Sequence, residues 1–403
     1  MGITDYKKDL YKTLLSLEEK TGDIDLHVHS LGSSDGKYSH DGLVRRAQQL
    51  GLKYLSITDH NNLAYVLDFL SRNHLPKNMP YHELDLLKYV PGVEVTCRVN
   101  DSGGVNYKGN PAKVHFLVYA PILTKNIPFV KLMEAKHTND IAYDFGTFIA
   151  VAKARDIELN EANVRMFIEK KRDQINGFTT MGKEDIWEYF CKYHSGVFKS
   201  RKSFFDACSE IPQSTRMNLD AKEIIDFVHD AGGICVMAHP SSSLNRISNR
   251  EKIIDIILDY GIDGFEMNGP SMKNNDYDMI KSVCDRHSSK NKIIFTAGTD
   301  FHRIVGWRDE GRYDDIKTKK SIYLKSSEMP VFVKELERLK EAREYNSDTH
   351  RRYDDKLSRL ELEDRVAKAV KFTENNKYWD GSFPIFDSVI RAGIPDFEKQ
   401  IAM

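Results

Sequence analysis

The sequence lacks the features that define several common classes of protein. An odd, scattered set of cysteines without a CxxC pair argues against a disulfide framework or a zinc ribbon and indicates reduced thiols in a cytosolic protein. No apolar run approaches the roughly 20 residues that a membrane span needs. The segment 1–20 is charged and has no apolar signal core, so we expect a cytoplasmic protein without a membrane anchor. The five cysteines are Cys97, Cys191, Cys208, Cys235 and Cys284.

A strong excess of either charge is also absent. The chain has 59 Lys and Arg against 60 Asp and Glu, which gives a formal net charge of −1. This balance argues against tight, non-specific binding of duplex nucleic acid through a global basic field. A local basic patch for short or single-stranded nucleic acid remains compatible with it. The sequence also has neither a GxSxG nucleophile elbow nor a phosphate-binding P-loop, so it does not indicate either chemistry.

Strand-like runs alternate with helical runs over most of the chain. Short β-branched or aromatic runs stand at 24–29, 54–58, 89–95 and 113–119, and further helix-then-strand units follow up to KKSIYLK at 319–325. Repeated β-then-α units favour a parallel sheet with crossover helices, and about eight of them favour closure into a barrel. The sequence thus predicts an α/β fold with a large buried core.

Two segments do not follow this alternation. Residues 131–218 are helical and charged, and we predict a helical cap inserted beside the mouth of the barrel. Residues 329–403 form a highly charged helical C-terminal extension, which either packs on the barrel or serves as an arm for dimerisation or for docking a partner protein. The remaining segments are an N-terminal helix at 1–22 and two halves of the barrel at 23–130 and 219–328.

Nine potential metal ligands stand at or just after the strand-like runs. In a β/α barrel the chemistry collects at the carboxyl ends of the strands, so we expect these side chains to share one site. Imidazole and carboxylate ligands suit borderline to hard divalent ions. Nine such residues predict a polynuclear metal centre, which favours hydrolysis, first of all of a phosphate ester. They are His27, His29, Asp35, His60, Glu94, His115, His239, Asp300 and His302.

Spacing supports the grouping of five of these residues. His27 and His29 are two apart in a strand and therefore project from the same face. Asp300 and His302 repeat this spacing at the end of another strand. Asp35 lies in a loop rich in Ser and Gly, which can bring its carboxylate back to the same ion.

Other candidates allow an alternative role. Asp59, just before a ligand candidate, is predicted to orient a ligand or a water. A cap on the following helix is its other possible role, and the two roles are compatible. Glu94 stands in an apolar strand, where it either bridges two cations or forms a buried salt bridge, because an unpaired buried carboxylate is costly. His115, in the apolar run VHFLVY, is a ligand or a core histidine. His239 precedes a proline that fixes the backbone and directs the imidazole outward from the strand end.

The order HxH, SDG, TDH, GxE, H, AHP and GxDxH resembles the polymerase and histidinol phosphatase (PHP) family of metal-dependent phosphoesterases. GGICVMAHP and GTDFH are most similar to the subgroup that acts on nucleoside 3′,5′-bisphosphates and short RNA 5′ ends. The resemblance covers about 23–120 and 219–305, and it implies a distorted seven-stranded (β/α)7 TIM-like barrel. It also implies two or three ions of Mn²⁺, Fe²⁺ or Zn²⁺, held by the nine residues named above. The long insertion and the C-terminal extension depart from the common pattern.

The predicted activity is hydrolysis of phosphate esters of nucleotides or short single-stranded oligonucleotides. Cations about 3.5–4 Å apart can bridge a water and lower its pKa towards neutrality, and the resulting hydroxide attacks phosphorus in line. Arg303 and Asn268 are candidate contacts to a second phosphate and to phosphate or sugar. The basic run 199–202 beside Phe204 and Phe205 either combines charge with base stacking or is a solvated face over core phenylalanines.

Three other functions stay open from the sequence. A histidinol-phosphatase-like enzyme would use the same metal centre on another phosphate ester. Amidohydrolases and TatD-like nucleases also begin with HxH after the first strand, but they do not combine TDH after the second strand with GxDxH at the end. A sensing or nuclease subunit of a larger assembly, recruited through 329–403, differs in class from these enzymes.

Overall fold

The computed structural model describes most of the chain between residues 22 and 345. The predicted strand at 319–325, residues 346–403 and almost all of the predicted N-terminal helix lie outside the described residues. Those described are 22–36, 38–100, 111–124, 127–159, 167, 182–209, 217–245, 247–268, 272–287, 293–302 and 326–345.

Strands and helices alternate in a mixed α/β fold. The strands are β1 (Ile24–Val28), β2 (Tyr54–Ile57), β3 (His82–Leu84), β4 (Leu87–Tyr89), β5 (Gly92–Val99), β6 (Ala112–Tyr119), β7 (Leu219–Asp220), β8 (Ile234–Met237), β9 (Gly264–Asn268) and β10 (Ile294–Ala297). The helices are α1 (His40–Gln49), α2 (Ala64–Arg72), α3 (Pro128–Lys153), α4 (Lys183–Tyr193), α5 (Arg201–Ser209), α6 (Ala221–Asp230), α7 (Pro240–Leu244), α8 (Arg250–Asp259), α9 (Asn274–His287) and α10 (Pro330–Tyr345). None of the helices in the described part of the chain is long and apolar enough to cross a membrane.

Local sequence explains where the helix between the first two strands begins and ends. The Ser39 side chain accepts a hydrogen bond from the main-chain N–H of Gly42 and so caps the start of α1. Leu43 and Val44 lie on its buried face, as the helical period predicts. Gly51, just past the end, adopts a φ of 69°, which glycine accommodates without strain.

The strands form two sheets that two isolated bridges link. The first has the order β1-β2-β4-β3 and the second the order β10-β9-β8-β6-β5-β7. Pairs β1–β2, β2–β4, β5–β7, β8–β9 and β9–β10 are parallel, as the alternation predicts. Isolated bridges join Val28 to Phe301 and His60 to Glu94, one from each sheet. The described strands therefore form two connected sheets, and among these residues the barrel is not closed.

The prediction of one strand at 89–95 was wrong. The chain leaves the first sheet after Tyr89 and enters the second at Gly92. Pro91 lies at this change of sheet and has no N–H to donate to a ladder, so it favours a break there. The change carries Glu94 to the end of the first sheet, where it forms the bridge to His60.

The direction of β6 also differs from the prediction. It pairs antiparallel with β5, from Gly92 opposite Tyr119 onward, and antiparallel with β8. The 12 residues between β5 and β6 are at the lower limit for a parallel crossover, whereas an antiparallel return needs no crossover. The reversal brings His115, near the start of β6, to the same edge as the carboxyl end of β8, since the His115 carbonyl accepts from the N–H of Ala238.

The amino ends of the strands are covered by α10. Phe332 and Leu336 from this helix are fully buried, and they belong to one apolar cluster with the first residues of four strands, Ile24, Tyr54, Ile234 and Ile294. Arg343, in the last turn, donates to the main-chain carbonyls of Asn78, Ala120 and Gly232. Residues 330–345 of the predicted extension thus form part of the core and are not a projecting arm.

The predicted cap contains an apolar cluster of its own. The long helix α3 begins with Phe129 and Val130 in the main core, whereas its later residues, such as Phe148, lie in a second cluster. This second cluster also contains Phe190 from α4 and Phe204 from α5. The helices α3, α4 and α5 thus form a small separate core, which the first turns of α3 join to the sheets.

Candidate metal centre

The Glu94 carboxylate lies at the centre of the site. It is fully buried, and imidazoles from three other segments contact it closely. Its Oε2 atom lies 2.7 Å from Nδ1 of His60. Its Oε1 atom lies 2.6 Å from Nδ1 of His115 and 3.0 Å from Nε2 of His239. One buried acid therefore joins side chains that follow β2, lie in β6 and follow β8.

The Asp300 carboxylate, after β10, adds a second centre of negative charge. Its Oδ1 atom lies 3.4 Å from Nε2 of His27 and 3.2 Å from Nε2 of His29. The same two nitrogens lie 3.5 Å and 3.4 Å from Oε2 of Glu94. In each histidine of the HxH motif the Nε2 atom therefore faces both acids, as expected for two side chains on the same face of a strand.

The loop carboxylate of Asp35 completes the group. Its Oδ2 atom lies 3.3 Å from Nε2 of His302 and 3.6 Å from Nε2 of His60. The ring of His302 stacks on that of His29 with centroids 4.2 Å apart. The structure thus brings together all nine residues that the sequence singled out, from elements spread between residues 27 and 302.

The three acids of the group are ionised at neutral pH. Burial alone would raise the pKa of Glu94, but neighbouring imidazoles, first that of His60, outweigh burial and hold this pKa well below its usual value. The pKa values of Asp35 and Asp300 are lowered in the same way, against burial, by adjacent histidines. Three negative charges therefore share one largely buried pocket.

The histidines divide according to their neighbours. Burial lowers the pKa of His29 to about 3, and the rings of His302 and His60 add to this effect. Burial likewise lowers the pKa of His115 to about 4. In His27 the carboxylates of Glu266, Asp300 and Glu94 outweigh burial and raise the pKa well above its usual value. Neutral imidazole, the form of His29 and His115 here, is the form that binds metal.

The chemistry of these donors fits divalent cations. Buried polar atoms in proteins nearly always have a hydrogen-bond partner, yet five buried atoms of this group have none. The two histidine nitrogens among them each lie 3.2–3.5 Å from the Glu94 and Asp300 oxygens. The five atoms are Nε2 of His27, Nε2 of His29, Oδ1 of Asp35, Oε2 of Glu94 and Oδ1 of Asp300. Cations bound among these atoms would satisfy them and balance the negative charge.

Among the described residues, four overlapping triads have donor atoms within 4.8 Å of one another and could each hold an ion. Since Glu94 and three of the histidines each belong to two triads, the arrangement suits several ions that share ligands better than a single ion. The triads are His29–His60–His302, His27–His29–Asp300, His27–Glu94–His239 and His60–Glu94–His115.

Glu266, in β9, is a functional candidate that the sequence reasoning missed. Its buried carboxylate lies 3.0 Å from Nδ1 of His27 and accepts a 2.6 Å hydrogen bond from the main-chain N–H of His239. Gly298 makes room for this contact, because a Cβ there would lie 2.6 Å from the Glu266 carboxylate. A charged residue in the apolar strand GFEM is the same signal that identified Glu94, and it could have found Glu266.

Asp59 acts on the site through a serine. Its Oδ1 atom accepts from the Ser33 hydroxyl at 2.9 Å and from the Ser30 N–H at 2.7 Å, and the Ser33 oxygen lies 2.9 Å from Nδ1 of His29. This is the orienting position that the sequence suggested. The alternative of a helix cap was wrong, since α2 begins at Ala64 without a side-chain cap on its N-cap residue.

Two of the nine residues have a backbone conformation that is rare for residues other than glycine. His239 has a φ of 28° and Asp300 a φ of 52°. Such conformations cost free energy and cluster at functional sites, where the surrounding structure enforces them. At His239 the hydrogen bond to Glu266 and the start of α7 at Pro240 hold the backbone in place.

Unlike the nine candidate ligands, the predicted substrate contacts lie only partly within the described residues. Asn268 ends β9 at the carboxyl edge, but its side chain and all of Arg303 lie outside what the structure describes. In the cap, Phe204 is fully buried, so the idea that a base stacks on it was wrong. Phe205 is only partly buried, with the Arg201 guanidinium 5.1 Å from its ring centre.

Comparison with known proteins agrees with this geometry. A family model for the PHP domain matches residues 25–234, which is more than half of the chain. The chain therefore belongs to the PHP domain family.

Individual relatives are more distant. The chain is 24% identical over 302 residues to a Haemophilus influenzae protein named "5'-3' exoribonuclease", which covers 72% of this chain and 94% of that protein. A crystal structure of a "putative metal-dependent phosphoesterase" from Bifidobacterium adolescentis superposes with a TM-score of 0.51 at 21% identity, over 70% of this chain and 88% of that one. An amidohydrolase from Chromobacterium violaceum gives a TM-score of 0.48 at 19% identity, with the same coverage. The first of these two structural matches shows a shared fold.

Proposed function

We propose that this protein is a metal-dependent phosphoesterase that hydrolyses phosphate esters of nucleotides or of short single-stranded RNA. The observation that carries the proposal is the buried Glu94 carboxylate, with five imidazole nitrogens between 2.6 and 3.5 Å from its oxygens. The family and the name of the Haemophilus influenzae relative support a phosphate ester of RNA as the substrate.

The nine residues would hold two or three divalent ions, and the Glu94 carboxylate belongs to two of the triads that could bind them. Nitrogen and oxygen ligands without any thiolate suit Mn²⁺, Fe²⁺ or Zn²⁺. When bound, such ions supply Lewis-acid activation of water at neutral pH and offset the charge of the phosphoryl group.

The chain's own residues orient these ligands. Glu266 accepts a hydrogen bond from Nδ1–H of His27, so Nε2 faces the pocket and would offer its lone pair when a metal displaces its proton. The Ser33 hydroxyl, fixed by Asp59, does the same for His29. Such outer contacts fix the ring tautomer and raise the basicity of the ligand. The left-handed backbone at His239 and Asp300 positions these two ligands before substrate arrives.

We also propose that the two sheets are parts of one distorted (β/α)7 barrel, with a cap at 131–218. The bridges Val28–Phe301 and His60–Glu94 support this, because they join the sheets at two separate seams. An experimental structure in which residues 319–325 pair beside β10 would agree with a barrel, and pairing elsewhere would contradict it.

The test of function pairs elemental analysis of the purified protein with a substrate panel. The panel contains a nucleoside 3′,5′-bisphosphate, 5′-phosphorylated RNA, a generic phosphoester and an amide. We expect bound transition metal and Mn²⁺-stimulated release of phosphate or mononucleotide, lost in His27→Ala but kept in His229→Ala, a histidine of α6 whose side chain is 40% exposed and lies outside the site. Hydrolysis of the amide alone would support an amidohydrolase instead. Metal-loaded protein that leaves every phosphoester intact would refute the proposal.

A further inference from the structure

The cap carries an exposed surface with strong local charge. We define the basic loop as residues 192–202, from the end of α4 to the start of α5. It contains Lys192, Lys199, Arg201 and Lys202, all exposed, and no Asp or Glu. In a chain with a formal net charge of −1, such a run makes a local positive field that suits a polyanion.

Aromatic rings lie among these cations. Phe198 and Phe205 are partly exposed, and Tyr193 is 36% exposed. The Arg155 guanidinium lies 4.3 Å from the ring centre of Phe198, and the Arg201 guanidinium lies 5.1 Å from that of Phe205. Bases of single strands stack on aromatic rings and on guanidinium planes, whereas duplex bases are not available for such stacking.

The surface is held in shape by the core beneath it. Phe204 is fully buried in the apolar cluster of the cap, where its ring centre lies 5.2 Å from that of Phe198 and 6.1 Å from that of Phe190. Gly196 turns the chain with a φ of 94°, a conformation that favours glycine. A ligand would therefore meet a preformed surface, which lowers the entropic cost of binding.

The position of α4 relates this surface to the metal centre. Gly182, at its start, packs against Ser34 so closely that a Cβ would lie 2.3 Å from the Ser34 Cβ. Ser34 adjoins Asp35, one of the nine candidate ligands. The 11 residues of α4 extend about 16 Å from that point at 1.5 Å per residue. At a spacing of about 3.4 Å per stacked nucleotide, this is roughly five nucleotides.

We propose that the basic loop binds the single-stranded chain of a nucleic acid substrate whose reacting end lies at the metal centre. Phosphates contact Lys199 and Arg201, and bases stack on Phe205 and beside Phe198. This inference rests on the proposed function and adds a preference for substrates of about five or more nucleotides over mononucleotides. Lys199 follows Phe198 directly in the chain and the Arg201 guanidinium lies over Phe205, so these two cations, next to the aromatic rings, are the residues to test.

The experiment measures kcat/KM as a function of RNA length. Single-stranded 5′-phosphorylated RNAs of 2 to 12 nucleotides with the same first two bases are compared on Mn²⁺-loaded enzyme. In the wild type we expect kcat/KM to rise with length up to about five nucleotides and then to level off. In Lys199→Ala/Arg201→Ala the value for the 12-mer falls by about tenfold through KM, while the dinucleotide and a generic phosphoester react as in the wild type.

Salt and stacking give two independent readouts. Loss of two phosphate contacts reduces the slope of log KM against log salt for the 12-mer by about 1.4, at about 0.7 per contact on a single strand. Phe205→Ala raises KM for the 12-mer by at least about fivefold without changing that slope. The matched control is Lys222→Ala/Arg286→Ala, which removes two cations whose side chains are 57% and 52% exposed elsewhere on the surface.

The outcomes separate this inference from the function on which it rests. Wild-type enzyme that hydrolyses RNA equally well at every length, or a double variant with the wild-type length dependence, overturns the role of the basic loop and leaves the phosphoesterase intact. Wild-type enzyme without activity on any phosphoester refutes the proposed function. In that case, fluorescence anisotropy still measures whether the double variant binds the 12-mer more weakly than the wild type, and this result decides the role of the basic loop. Variants that change the oligomeric state but not the affinity for RNA identify a protein contact and overturn the inference.

Discussion

The two ends of the strands differ in almost every physical respect. At the carboxyl ends, acids and histidines converge, several buried polar atoms lack hydrogen bonds, and two residues have a strained backbone. At the amino ends, α10 places Phe332 and Leu336 on a layer of aliphatic residues, and Arg343 satisfies three main-chain carbonyls. One end is built for chemistry at a cost in stability, and the other supplies stability.

The largest expected effect comes from the centre of the carboxyl end. Glu94→Gln removes the charge shared by two triads, and we expect phosphoesterase activity to fall by at least about 10³-fold together with loss of bound metal. Enzyme assays and elemental analysis measure the two effects. Glu251→Gln, whose side chain is 58% exposed, is the control and should behave as the wild type. Retention of full metal content in Glu94→Gln would contradict the central role of this residue.

A substitution at the amino ends of the strands should lower stability and leave activity almost unchanged. Phe332→Ala removes a fully buried ring and is expected to lower the free energy of unfolding by about 3–5 kcal/mol. The activity of the folded protein should stay within about twofold, because the site lies at the other end. Urea denaturation measures the loss. Val331→Ala, in the same helix but 37% exposed, should change stability by less than about 0.5 kcal/mol. Equal losses in the two variants would show that α10 does not pack as described.

Glu266 tests whether the carboxyl end depends on residues outside the ligand group. Glu266→Gln removes the negative charge of the side chain that contacts the His27 imidazole and the main-chain N–H of His239. We expect a 10- to 100-fold weaker affinity for Mn²⁺, the usual range for such outer contacts, measured by calorimetric titration of metal-free protein. Glu341→Gln, on the exposed face of α10, controls for a change of net charge. An unchanged affinity would mean that Glu266 is merely a buried acid.

A smaller effect concerns His40, a buried histidine outside the ligand group. Burial lowers its pKa from 6.5 to about 3, so between these values the unfolded chain binds a proton that the native protein does not. Stability must therefore fall as pH falls through this window. His40→Gln keeps a partner for the Tyr89 hydroxyl, which lies 2.8 Å from the imidazole, and should reduce the slope by up to about 1 kcal/mol per pH unit. Urea unfolding at pH 7 and pH 5 measures it. Identical slopes in the two proteins would contradict the assignment.

Much of the site at the carboxyl ends of the strands could be predicted, because most of its residues stand in short sequence motifs. Alternation in a strand places His27 beside His29, and a hydrophobic run followed by His or Asp marks the end of a strand. The helices α1, α6, α8 and α9 each bury apolar residues on one face, and such a face is visible in the sequence as an apolar period.

The rest depends on contacts between distant segments. The reversal of β6 is a matter of which strands it pairs with, and its alternation of buried residues is the same in either direction. The packing of α10 at the amino end could not be read from 329–403, where charged residues outnumber the few apolar positions that contact the strands. The role of Glu266 needed the distance to His27, which lies 239 positions away.

The three hydrogen bonds of Arg343 bear on where the chain can be truncated. The family match stops at residue 234. Arg343 lies beyond it, yet its guanidinium donates hydrogen bonds to the main-chain carbonyls of residues 78, 120 and 232. A fragment cut at the match boundary would lose most of β8, all of β9 and β10, and three of the nine candidate ligands. It would also expose the apolar layer that α10 covers. Such a truncation is expected to aggregate rather than fold, so the unit that folds extends beyond the residues that the family model matches.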